Sequence, residues 1–217
     1  MRKALTIGEL LVTVAIIGII ATLVLPGFLE DYHKKLYATG LKKAYEMLTN
    51  AVNQACTDSN VSYFYQTMYV RPEINPATNK SYQQEFVNKY FKTVKFSGTS
   101  PFANSYKAIQ SNENTLIAIV RNAGIAKLAG GEAIYFVCDN ADPYCAFLVD
   151  VNNQAAPNLA GRDLFTIYID KKTNKLYDPN DAYSCGLKKE GEDTVTYSND
   201  GTGCLSRIME DNWEMKY

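Results

Sequence analysis

Histidine and tryptophan are almost missing from this chain, with one of each in 217 residues. A lone His33 leaves little from which to build a histidine-bearing zinc centre or a His-centred catalytic dyad. If helix runs from His33 to Cys56, the two stand ~35 Å apart, beyond the reach that a nucleophile and its base need. No G-x-S-x-G, H-E-x-x-H, P-loop or G-x-G-x-x-G is present, so the chain carries no enzymatic signature and reads as a non-enzyme. Excess positive charge is missing too: 22 Lys and Arg face 23 Asp and Glu, a formal net charge of −1. Bulk nucleic-acid binding, which depends on clustered Lys and Arg, is not expected. The chain also lacks internal repeats, low-complexity tracts and any C-x-x-C pair.

What it does have is one long apolar run over residues 5–26, LTIGELLVTVAIIGIIATLVLP, interrupted by a single acid, Glu9. As a helix, residues 5–25 would measure ~31 Å, close to the ~30 Å hydrocarbon thickness of a bilayer. Arg2 and Lys3 are the only charges ahead of it, which holds that end inside and sends the rest of the chain outward. An ionised carboxylate in hydrocarbon costs ~3 kcal/mol even on lenient insertion scales, so Glu9 calls for a positive partner. A secretory signal peptide would have a shorter, acid-free core ending in an A-x-A-like site, whereas this run ends in LVLPGF. An uncleaved anchor has no use for Glu9.

The order of residues here is Lys3, then small Ala4, apolar Leu5, Glu9 four positions on, and a long apolar helix with Pro26 near its end. It resembles the class III signal of type IV pilins and type II secretion pseudopilins over residues 3–26. Ala4 and Leu5 stand where that family usually has Gly and Phe, and Gly8 where it usually has a bulkier residue. The resemblance implies a subunit that enters the bacterial inner membrane lipid with its N-terminus cytoplasmic. A prepilin peptidase would cut between Ala4 and Leu5, and the new amine of Leu5 would be methylated. An inner-membrane assembly platform would then add the chain to other pilin or pseudopilin subunits in a homo- or hetero-filament, extracellular or periplasmic, where Glu9 meets a neighbour's N-terminal amine. The implied fold is α+β, a long N-terminal helix packed on an antiparallel β-sheet. The implied division is a leader over 1–4, a membrane and filament-core helix over 5–26, its amphipathic continuation over 27–56 and an exported globular domain over 57–217. The rival reading is a membrane-tethered monomer, a binding protein or enzyme acting alone.

Beyond Pro26, Tyr37, Leu41, Ala44, Leu48, Val52 and Ala55 recur at steps of three and four, which predicts an amphipathic helix ending near 56–60, where TDSN competes for backbone hydrogen bonds. Its apolar stripe is expected on the chain's own sheet. VSYFYQTMYV (61–70) reads as a strand, PEINPATNKS as loop and 81–93 as a short helix. TLIAIV (115–120), EAIYFVC (132–138), CAFLVDV (145–151), LFTIYID (164–170) and a short KLYD read as strands of an antiparallel meander. After Asp178 the pattern is loop-like, with Trp213 packing back on the domain.

Five cysteines, Cys56, Cys138, Cys145, Cys185 and Cys204, would reach an oxidising compartment, and spacing alone leaves their pairing open. Cys138 and Cys145 flank the turn-rich DNADPY, so a hairpin would join them. Cys185 and Cys204 bracket a segment that resembles the disulfide-closed C-terminal loop of many pilins. Asp150, Asn152 and Asp163 belong to an oxygen-rich stretch between two strands, which admits either a calcium site or a turn that satisfies its own backbone. It is not an EF-hand, because Ala155 and Gly161 stand where that loop needs Gly and Glu. No cofactor is required.

Overall fold

The computed structural model describes residues 6–71, 73–94, 106–109, 114–115, 123–139, 144–153, 155–187, 195–198 and 201–217. The peptidase site at Ala4 and Leu5, most of the strand expected at 115–120 and the turn at 140–143 lie outside them. The chain forms two units, Met1–Leu36 and Tyr37–Tyr217. The second includes the end of the continuation helix, whose stripe from Tyr37 onward is part of the globular core.

Helix α1 is Ile7–Asp58 and contains Pro26. In its first unit the apolar side chains are exposed, Leu23 at 77% and Ile17 at 65%, and the helix is long and apolar enough to cross a membrane once. Its polar side chains are satisfied along the helix itself: the hydroxyls of Thr13 and Thr22 donate to the carbonyls of Leu10 and Ile19 at 2.8 Å. Such a rod can sit in lipid with no unmet hydroxyl. At its other end Asn60 takes a left-handed φ of 51°. The N–H of Val61 then donates to Cys56 and that of Asn60 to Thr57, each at 3.0 Å, a Schellman stop.

In the second unit the pieces follow as β1 (Ile74–Asn75), β2 (Lys80–Ser81), α2 (Tyr82–Tyr90), β3 (Thr93–Val94), β4 (Tyr106–Ala108) and β5 (Asn114–Thr115). Then come β6 (Gly124–Leu128), β7 (Ala133–Asp139), β8 (Tyr144–Asp150), β9 (Leu159–Ala160), β10 (Leu164–Ile169), β11 (Leu176–Tyr177) and α3 (Cys204–Glu210). The main sheet runs β3-β6-β7-β8-β10-β9-β4-β5, with β11 on β10. The fold is therefore α+β with a long N-terminal helix, as the resemblance implies. The sheet is mixed rather than wholly antiparallel, since β9 pairs parallel with both β10 and β4.

Alternation decides the two faces of the sheet. On β7, Ile134, Phe136 and Cys138 join the core that holds Tyr37, Leu41, Ala44, Leu48, Val52 and Ala55 of α1. Ala133, Tyr135 and Val137 join a smaller core with Tyr106, Ala160 and Leu164. The expected amphipathic stripe thus lies against the sheet. Trp213 packs edge-on to Tyr45 of α1 at 5.5 Å, as its sequence position predicts.

Three expectations give way. Residues 61–70 form two 3-10 turns, Phe64–Gln66 and Met68–Val70. Their aromatics serve a buried cluster, Phe64 and Tyr69 meeting Phe86 at 5.3 and 5.4 Å, so tertiary packing overrides the strand-like composition. The loop after Pro72 contains the small β1–β2 hairpin. The C-terminal segment holds α3, whose seven residues are too few for a visible period.

Gly124 marks where α2 crosses β6: a Cβ there would stand 2.4 Å from the carbonyl oxygen of Gln83 and 2.7 Å from a methyl of Val87. Backbone cannot yield as a flexible side chain can, so Gly124→Ala should destabilise the domain by about 2 kcal/mol, read as a lower denaturant midpoint of the detergent-solubilised protein.

Candidate functional site

The N-terminus of α1 is the first place where sequence and geometry converge. Thr6 stands at the N-cap and Glu9 at the third helical position. The Thr6 hydroxyl accepts from the Glu9 amide at 3.2 Å. The Glu9 carboxylate in turn accepts from the Thr6 amide at 2.9 Å and from the Thr6 hydroxyl at 2.8 Å. This is a reciprocal capping box, legible beforehand as T-x-x-E ahead of an apolar run. It satisfies orphan donors of the helix but brings no cation to the carboxylate, which stands on an exposed apolar rod.

The oxygen-rich loop is the second place. The structure brings Asp150, Asn152 and Asp163 together and adds Tyr106, which sequence reading missed. Asp150 and Asp163 are both fully buried. Every one of their carboxylate oxygens accepts from the chain. Asp150 takes the Tyr106 hydroxyl at 2.5 Å and the Asn152 amide at 3.0 Å. Asp163 takes the Leu159 amide at 2.6 Å, the Asn158 amide at 2.7 Å and the Asn152 side-chain amide at 3.3 Å. Burial and the facing Asp150 hold the Tyr106 phenol well above its ordinary range, so it stays a donor. Calcium takes six to eight oxygens; here the carboxylate oxygens all accept from N–H and O–H donors, while the buried side-chain oxygen of Asn152 accepts from none among the described residues. The arrangement is a clasp that closes the loop between β8 and β10 on itself.

Burial pushes the Asp163 carboxyl up to about 6, with backbone donors from Leu159 and Asn158 opposing and the charge of Asp150 adding to the rise. A carboxyl of unfolded pKa ~3.9 that rises on folding binds a proton better in the folded state. Its contribution is fully present below ~4 and is lost as pH climbs through about 6. The domain should therefore gain about 1.4 kcal/mol between pH 7.5 and pH 5, an amount that Asp163→Asn removes, measured as denaturant midpoints across that range.

The cysteines pair as Cys138–Cys145 and Cys185–Cys204, leaving Cys56 free and buried. The first bridge joins directly opposed residues of β7 and β8. The second closes the C-terminal segment, which Asp178 also holds. Its carboxylate accepts from the amides of Gly203 at 2.7 Å, Leu205 at 3.0 Å and Ser206 at 3.2 Å, around the start of α3.

No family model, curated protein or solved structure matches this chain.

Proposed function

We propose that the chain is a structural subunit of a type II secretion pseudopilus or type IV pilus. In this reading a prepilin peptidase cuts it after Ala4, and it is assembled through α1 from the inner membrane into a filament. The observation that carries the reading is Glu9, which has no cation bonded to it among the described residues and stands at the head of an apolar helix whose side chains are exposed. Moving from lipid to a bundle of like helices costs the apolar surface little, because lipid and helix are equally apolar. The carboxylate meanwhile gains the cation it lacks alone, the freshly cut amine of Leu5 on a neighbour.

The capping box favours a second reading, a membrane-tethered monomer, because it gives Glu9 a local role that needs no neighbour. The N-terminal residue of the membrane-extracted protein separates the two. Mass spectrometry of the N-terminal peptide is expected to find methylated Leu5; an intact Met1 on a protein that stays monomeric overturns the filament reading. Within that reading, calcium held by Asp150, Asn152 and Asp163 would favour the pseudopilus, and long surface fibres the pilus. A cation there would have to displace the donors from Tyr106, Asn158 and Leu159.

A further inference from the structure

A groove of about 560 Å³ runs along α1 on the globular unit. On the helix side it is lined by Lys43, Met47, Ala51, Gln54 and Asp58, at steps of four, four, three and four, so one helix face forms its wall for ~22 Å. Phe91, Lys92 and Leu128 face it from the end of α2 and the β6–β7 turn. Its charges are unequal in their engagement. Lys43 is held by Glu132 and Lys89 by Asp58, each at 2.7 Å. Lys92 is exposed and has no ion pair or hydrogen bond from its ammonium among the described residues. The groove thus offers a floor of Met47, Phe91 and Leu128 with one uncompensated cation at its rim.

Residues 28–36 of α1 carry the complement. Phe28, Leu29, Tyr32 and Leu36 are 66, 49, 56 and 50% exposed, and their spacing puts them on one side of the helix. They lie past the end of the apolar run, where lipid would not cover them. Asp31 stands among them, exposed and without an ion pair or hydrogen bond from its carboxylate among the described residues.

We propose that the groove along residues 43–58 receives residues 28–36 of a second copy of this chain, with Asp31 of one copy against Lys92 of the other. The fit is a helix laid into a groove: apolar side chains supply the affinity, and the single charge pair fixes register more than strength. It rests on the filament reading, which brings the second copy alongside, and names the surface that reading leaves unspecified.

The test uses the full-length protein in membranes, with Phe28→Cys and Met47→Cys as reporters and a short bis-maleimide as the cross-linker. Native Cys56 stays silent, being buried with its thiol pushed up by that burial. Cross-linked dimer of this chain is expected. Asp31→Lys or Lys92→Glu alone should cut its yield roughly tenfold, the ratio that ~1.4 kcal/mol of like-charge repulsion gives, and Asp31→Lys with Lys92→Glu should restore it. Three results overturn the proposal: no dimer, cross-linking only to another polypeptide, or single reversals without effect. Cleavage at Leu5 and filament yield are scored in the same cells. A missing dimer with both intact overturns the groove alone, whereas a missing dimer with an uncut, monomeric chain overturns the groove and the filament reading together.

Discussion

Glu9→Gln is expected to enter the membrane as the parent does and to fall out of assembled filaments by roughly a hundredfold, the ratio that ~3 kcal/mol of unmet charge corresponds to. The substitution is informative because of the local geometry. Gln at the third helical position can still reach back to the Thr6 amide, as Glu9 does at 2.9 Å, so the capping box survives while the charge goes. Thr6→Val does the reverse, keeping the charge and removing the hydroxyl that accepts from Glu9. It should cost the helix about 1 kcal/mol and leave filament yield within a few-fold of the parent. Comparison of the two separates a charge needed by a neighbour from a cap needed by the helix. If Thr6→Val abolishes filaments and Glu9→Gln does not, the carboxylate serves only its own helix terminus.

Lys43→Met should destabilise the globular unit by about 3 kcal/mol, because it strands a buried carboxylate. Glu132 is 3% exposed; its Oε1 accepts from the Lys43 ammonium at 2.7 Å, and its Oε2 has no partner. Nothing else cationic is bonded to it among the described residues, so the whole cost of an unpaired buried charge falls on the folded state. Lys43→Met with Glu132→Leu removes both charges, and most of the stability should return. Denaturant midpoints of the parent, the single variant and the double variant give the answer. A double variant no better than the single one would mean that Lys43 contributes by packing its stem and not by charge.

The helical stripe was legible because a period of 3.6 sustained from Tyr37 to Ala55 cannot be confused with anything else. The long strands of the sheet were legible for a similar reason: LFTIYI alternates and is bounded by Gly, Asp and Asn. Two-residue strands carry no period, which hid β3 and β9 and with β9 the parallel pairings that make the sheet mixed. The loop residues Asp150, Asn152 and Asp163 were visible by composition. Tyr106, 44 residues upstream of Asp150, was not, since only the fold brings its hydroxyl to that carboxylate. The capping box is written in the sequence as T-x-x-E ahead of an apolar run, so Thr6 and Glu9 carry a helix-terminal signal beside the membrane one. The frequent asparagines have a backbone reason as well: Asn60, Asn79, Asn153, Asn158, Asn174 and Asn212 all take positive φ, a conformation their short amides tolerate better than most side chains.

Asp178 and the Cys185–Cys204 bridge fasten the same C-terminal strap by unrelated chemistry, one through hydrogen bonds to three amides and the other through a covalent link. Under the filament reading, in which the chain is made in a reducing compartment and matures in an oxidising one, that redundancy is useful. The carboxylate can seat the strap before any oxidant is met, which holds the two thiols near each other, and oxidation then makes the seating permanent.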